Sequence, residues 1–128
     1  MGNQLKLVAI LLVISTISLS AQNRKLQSEA KGYLYYYCIK EEYNFIDNNR
    51  YTPYNKDYSG SYFIQMTKLP LQLLDSIESY YKRTIKKYRG MPQESSFDEV
   101  ANMVCYSCWS LYEAKETKKY IKRIVKQQ

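Results

Sequence analysis

The residues that could do chemistry are few. The chain contains three cysteines, Cys38, Cys105 and Cys108, and no histidine. Without histidine there is no Ser-His-Asp or Cys-His catalytic set, and the commonest zinc ligand is missing. Cys105-x-x-Cys108 has the spacing of a redox or metal motif. A redox pair expects a thioredoxin-like βαβ context, which the pattern around it lacks. A structural zinc site expects four ligands, and three cysteines cannot supply them. The carboxylate pairs Glu41/Glu42 and Asp98/Glu99 are adjacent residues, which point apart on a helix and read as solvated surface charge. The four glycines form no phosphate-cradling loop. With no nucleophile beside a base, no metal set and no cofactor motif, these residues point to a non-catalytic protein. In an oxidising compartment the cysteines read instead as one disulfide and one remaining thiol, with Cys38 bridged to Cys105 or to Cys108. Such a bridge closes a loop of roughly 70 residues, worth about 4 kcal/mol by chain entropy.

The beginning of the chain supports that compartment. Lys6 precedes the apolar run Leu7–Ile14, and the small residues Ser18-Leu19-Ser20-Ala21 follow. This is the pattern of a cleaved secretory signal peptide over residues 1–21, and the run is too short to span a bilayer as a stable anchor. No cysteine lies at the exit to carry a lipid. Residues 22–128 then make one small domain. Taking Lys6 from the 19 Lys+Arg leaves 18 against 12 Asp+Glu, a charge of +6. Its cations gather in two clusters. Lys82, Arg83, Lys86, Lys87 and Arg89 form one, and Lys115, Lys118, Lys119, Lys122, Arg123 and Lys126 form the other. The four-residue spacing of Lys118, Lys122 and Lys126 sets them along one helix side, suited to a phosphate or an acidic partner. Fifteen tyrosines suit half-buried helix faces and binding surfaces, because each joins apolar area to a polar tip.

The elements that must position these residues read as helices. Leu26, Ala30, Tyr33, Leu34, Tyr37, Cys38 and Phe45 recur at three- and four-residue intervals over a first helix from about Leu26 to Asp47. Asp47–Arg50, Pro53 and Asn55–Gly60 interrupt the pattern, and a short helix is expected over Tyr62–Thr67. Pro70 opens a third helix with the stripe Leu71, Leu74, Ile77, Tyr81, Ile85 and Tyr88, stopped by Gly90 and Pro92. Ser96 and Glu99 form a capping box for a fourth helix whose inward face is Val100, Ala101, Val104, Cys108 and Leu111. Ser110 and Glu113 form a second box, so that Leu111–Val125 reads as a last helix with Tyr120, Ile121, Ile124 and Val125 facing inward. The expected fold is all-α, a compact bundle of four to five helices.

In this order the motifs resemble a known family. A cysteine late in the opening helix (Tyr36-Tyr37-Cys38-Ile39-Lys40) is followed by Gly60-Ser61-Tyr62. A helix ending in Ser79-Tyr80-Tyr81 leads into a loop over Tyr88–Ser95. Cys105 has Trp109 four residues later, and Thr117–Ile121 opens a basic closing helix. From about Gly32 to Val125 the chain resembles immunity proteins of type VI secretion amidase effectors, specifically the fourth amidase-immunity subgroup. The resemblance implies an exported, all-helical inhibitor that acts in the periplasm as a homodimer. Its partner would be a papain-like cysteine peptidase that cuts peptidoglycan cross-link peptides. It also implies that the loop Tyr88, Arg89, Gly90, Met91, Pro92, Gln93, Glu94 and Ser95 enters the substrate groove of that amidase. By the same resemblance Cys105 is the partner of Cys38, although Cys108 lies nearer the centre of the apolar face and is not part of the family pattern. The competing expectation is an exported basic module that binds a polyanion, such as nucleic acid or an anionic envelope polymer. Protein recovered from the cell envelope should begin at Ala21 or Gln22. Its intact mass checks this, and a mass retaining Met1–Ser20 would contradict it.

Overall fold

The computed structural model describes residues 2–46, 59–67, 69–90 and 102–128, with side chains described in the first helix from Ser20 onward. Among these residues there are five α-helices and no strand. They are α1 (Gly2–Ile46), α2 (Ser59–Gln65), α3 (Leu71–Thr84), α4 (Val104–Glu113) and α5 (Lys115–Lys126). None of them is long and apolar enough to cross a membrane. The expected all-α bundle is therefore present, and α1 is its spine, packed against each of the other four helices.

The helix periodicity placed most of the core. Ala30, Tyr33, Leu34, Tyr37 and Cys38 of α1 are buried against Leu74, Ile77, Tyr81 and Ile85 of the α3 segment, Val104, Cys108 and Leu111 of α4, and Ile121, Ile124 and Val125 of α5. Two members of the expected stripes face water. Leu71 stands at the first turn of α3 and is 70% exposed, while Leu73, which the pattern passed over, is fully buried. Phe45, near the end of α1, is 64% exposed. It serves as a platform for the guanidinium of Arg89, 4.4 Å from its ring centre.

Helix ends differ from the expected caps for local reasons. Pro70 does open α3, from the N-cap position, with φ −62° and its carbonyl accepting from Leu73 N and Leu74 N. At the other end Thr84 turns its hydroxyl back onto Tyr80 O (2.7 Å), and the chain tightens into a 3-10 turn over Ile85–Lys87. Such back-bonding disfavours regular continuation. The Ser110/Glu113 box does not form. Helix α4 runs through both residues, and the break falls at Ala114, in extended conformation with φ −56° and ψ 137°. The Glu113 carboxylate is instead taken by Lys118 Nζ (2.6 Å) and lies near Lys31 Nζ (3.7 Å). Asn102 and Met103 are non-helical, and the Asn102 side chain accepts from Val104 N. The box at Ser96/Glu99, with Val100 and Ala101, lies outside the described residues.

The disulfide corrects the pairing implied by the resemblance. Cys38 is bonded to Cys108, with Cα atoms 5.7 Å apart, and Cys105 is an exposed free thiol. The reason is helical phase. Val104, Cys108 and Leu111 form the inward stripe of α4, and Cys105 lies about 100° around from Val104, on the solvent side. The bridge ties the middle of α1 to α4 across 70 residues, and the chain-entropy estimate for that loop is about 4 kcal/mol. Peptide mapping without reduction should recover a Cys38–Cys108 peptide. In the folded protein one thiol, Cys105, should react with maleimide. Cys108→Ser should cost ~2–5 kcal/mol in urea melts, whereas Cys105→Ser should stay within ~0.5 kcal/mol of the parent.

Candidate functional site

The loop singled out in the sequence leaves the 3-10 turn at Tyr88, and its first three residues are held by three different helices. The Tyr88 hydroxyl donates to the Glu116 carboxylate at the start of α5. Arg89 donates Nε to Glu42 Oε2 (2.8 Å) and Nη2 to Glu42 Oε1 (2.9 Å), a two-pronged contact to α1. Gly90 N donates to Ser107 Oγ of α4 (3.1 Å). A side chain at Gly90 would meet Tyr106 and Met103 of the α4 segment. Met91, Pro92, Gln93, Glu94 and Ser95, the rest of the loop, lie outside the described residues.

Glu42 is the centre of this arrangement. It was expected to be a solvated surface charge, yet it is 4% exposed. Burying an unpaired carboxylate is strongly unfavourable. Glu42 meets that demand with the Arg89 guanidinium on both oxygens and the Tyr81 hydroxyl, which donates to Oε1 at 2.6 Å. The Glu42 hydrogen bonds hold Arg89 even more firmly in its charged form. Burial, and then the hydrogen bond to Glu42, push the Tyr81 phenol above its ordinary value. The spacing Leu34-Cys38-Glu42 carried the signal that was missed. At four-residue steps Glu42 continues the buried stripe of α1, whereas its neighbour Glu41 is half-exposed.

The other sequence candidates are distributed elsewhere. Cys105 lies on the outer side of α4 near Tyr106 and Trp109, which are 60% and 54% exposed. Trp109 stacks on Tyr112 at 5.4 Å, and Lys31 Nζ sits 3.7 Å from the Tyr112 ring centre. Of the Lys118/Lys122/Lys126 strip, Lys118 is paired with Glu113, and all three are exposed. Among the described residues no group of three or more His, Cys, Asp or Glu side chains could hold a metal ion. A cleft of about 530 Å³, lined in part by Gln22, Leu26, Glu29, Met66 and Val125, lies thirteen or more residues along α1 from Glu42. No family model matches this chain, and no curated protein or solved structure matches it.

Five tyrosines, Tyr33, Tyr37, Tyr80, Tyr81 and Tyr88, are held above the ordinary phenol value of 10.0, in each case chiefly by burial. Their folded pKa is raised over the unfolded one. The stability they contribute is therefore fully present below pH 10 and is lost as pH rises above it. Ultraviolet titration of the phenols should show a group ionising late and together with alkaline unfolding. Ionisation of all fifteen near the ordinary value with the fold intact would contradict this. Arg89→Met keeps an unbranched apolar stem and removes the guanidinium, with its contact to Phe45 and its charge. It should cost ~2–3 kcal/mol in urea melts, because it strands the buried Glu42 carboxylate, and less than a fully buried pair would because Arg89 is one-third exposed.

Proposed function

We propose that this chain is an exported immunity protein that binds a type VI secretion peptidoglycan amidase and blocks its substrate groove with the segment Tyr88–Ser95. The observation that carries the reading is the three-helix clamp at Tyr88, Arg89 and Gly90. Inhibition by an inserted loop is favoured when the loop is ordered before it binds, because ordering it on binding would subtract from affinity. A clamp that engages α5, α1 and α4 through consecutive residues supplies that order at the loop's entry. The Cys38–Cys108 bridge supports an oxidising compartment, and the leader pattern at Lys6–Ala21 supports export. The periplasm, the homodimer, the non-catalytic role and the amidase as target rest on the sequence resemblance.

Met91, between Gly90 and Pro92, is the apolar residue that fits the role of an anchor in the groove. Arg89 and Gly90 belong to the clamp, so a test of the loop has to begin after them. Replacing Met91–Ser95 by a Gly-Ser segment of equal length should leave the melting temperature nearly unchanged. It should weaken inhibition of the cognate amidase by at least ~2 kcal/mol, about thirty-fold, the size of a lost hot spot. Inhibition constants measured on the cognate amidase check this. Undiminished inhibition would move the inhibitory surface off the loop.

A further inference from the structure

The packing of α3 on α5 brings the two basic clusters of the sequence onto one surface. The Tyr80 and Tyr120 rings stack at 4.2 Å, the Tyr80 and Thr117 hydroxyls meet at 3.0 Å, and Tyr120 donates to Ser76 O at 2.9 Å. The helices are thus antiparallel. Passing from Ser76 to Tyr80 along α3 corresponds to passing from Tyr120 to Thr117 along α5. Arg83 and Lys87 continue beyond Tyr80 on one side of this seam, and Lys119 and Arg123 flank Tyr120 on the other. All four are exposed, and none is in an ion pair among the described residues. Of the carboxylates on the same helices and the neighbouring end of α4, Glu113 is paired with Lys118, Glu116 and Glu78 accept from Tyr88 and Tyr33, and Asp75 is exposed on α3, so the cations outnumber the acids on this face.

We infer that this α3–α5 face is an electrostatic docking surface for an anionic phospholipid bilayer. Charge complementarity requires an anionic partner, and the kind of cation selects among such partners. Of the four seam cations two are lysines, and the other exposed cations of the α3 and α5 segments, Lys82, Lys86, Lys115, Lys118, Lys122 and Lys126, are all lysines. Lysine is a strongly hydrated point charge on a flexible stem, and it is depleted at stereospecific protein interfaces, where arginine is enriched. It suits diffuse attraction to a charged plane. A single-stranded nucleic acid would want exposed aromatic rings among the cations for bases to stack on. Tyr80 is buried here, and Tyr120 is covered by the Arg123 guanidinium, 5.2 Å from its ring centre. The apolar stripe of α5, Ile121, Ile124 and Val125, is buried in the core. It is not available for insertion, so adsorption is electrostatic and reversible. Each cation near an anionic bilayer contributes roughly five-fold to partitioning.

The test uses the protein as recovered from the cell envelope. It is sedimented with vesicles of phosphatidylcholine alone and of phosphatidylcholine mixed with phosphatidylglycerol. Binding should appear with the mixed vesicles, be absent with phosphatidylcholine, and fall steeply as ionic strength rises past ~0.15 M. Replacing Arg83, Lys87, Lys119 and Arg123 together by Gln should reduce partitioning ~600-fold, about five-fold for each cation, and provides a variant free of new charge repulsion. The same four changed to Glu should reduce it further. Helical signal and melting temperature establish that each variant is folded. Equal sedimentation with both vesicle types, insensitivity to salt, or parent-like binding by folded variants would overturn the assignment. So would tighter binding to a single-stranded oligonucleotide or to an acidic protein than to the anionic vesicles.

Discussion

A carboxylate taken out of water decides how the middle of this molecule is arranged. Glu42 sits on the buried stripe of α1, where the next turn of an ordinary helix would place another apolar residue. Its charge is tolerable only with partners that satisfy both oxygens, since an unpaired buried charge is among the most unfavourable features a fold can contain. Tyr81 supplies a hydroxyl from α3 and Arg89 supplies two N–H groups from beyond its end. The path of the chain after α3 follows from this requirement. Arg89 has to turn back toward α1, and that turn brings Gly90 N within reach of Ser107 on α4.

The clamp works because its partners are themselves fixed. Ser107 is buried next to Cys108, so the residue that receives Gly90 N is adjacent to the disulfide that joins α4 to α1. Tyr81 packs edge-on against Tyr37 of α1, with ring centres 5.3 Å apart. Tyr33 stacks on Tyr37 and donates to Glu78 of α3. Tyrosine recurs along the α1–α3 contact for one physical reason. It fills the space with an aromatic ring and carries its hydroxyl to a carboxylate or carbonyl at the edge of the core. This accounts for a large share of a tyrosine content that a purely aliphatic core would not need.

Much of the architecture was legible in the sequence, because helical periodicity reports burial directly. Spacing marks the inward faces of α4 and α5 at Val104, Cys108, Leu111, Ile121, Ile124 and Val125, all of them buried. Where the structure departs from the pattern, the causes are specific. Phe45 fits the α1 stripe by spacing, but it lies at the helix end, where the ring lies under Arg89. Leu71 fits the α3 stripe, but at the first turn no element among the described residues covers it. Glu42 was assigned to the surface by residue type, although its spacing from Cys38 placed it inside. The choice of Cys105 over Cys108 followed family pattern where helical phase favoured the other residue. A contact such as Arg89–Glu42, forty-seven residues apart, leaves no mark in local pattern, because only the tertiary fold brings its members together.

The α3–α5 face and the clamp at Tyr88–Gly90 have different chemistry, and the fold separates them. Every stabilising contact of Arg89, Tyr81, Cys108 and Thr117 points inward, toward α1 or across the α3–α5 seam. The outward residues of α3 and α5 make few of these contacts, and many of them are lysines. On the loop side, Tyr106 stands exposed against Gly90, at the edge of the chain segment that the clamp orders. The contacts that hold the fold thus lie on one side of these helices and the exposed cations on the other. A substitution at Lys119 or Lys122 can change attraction to a partner while leaving the core untouched. Arg89 is the exception, since it serves the buried carboxylate and begins the loop.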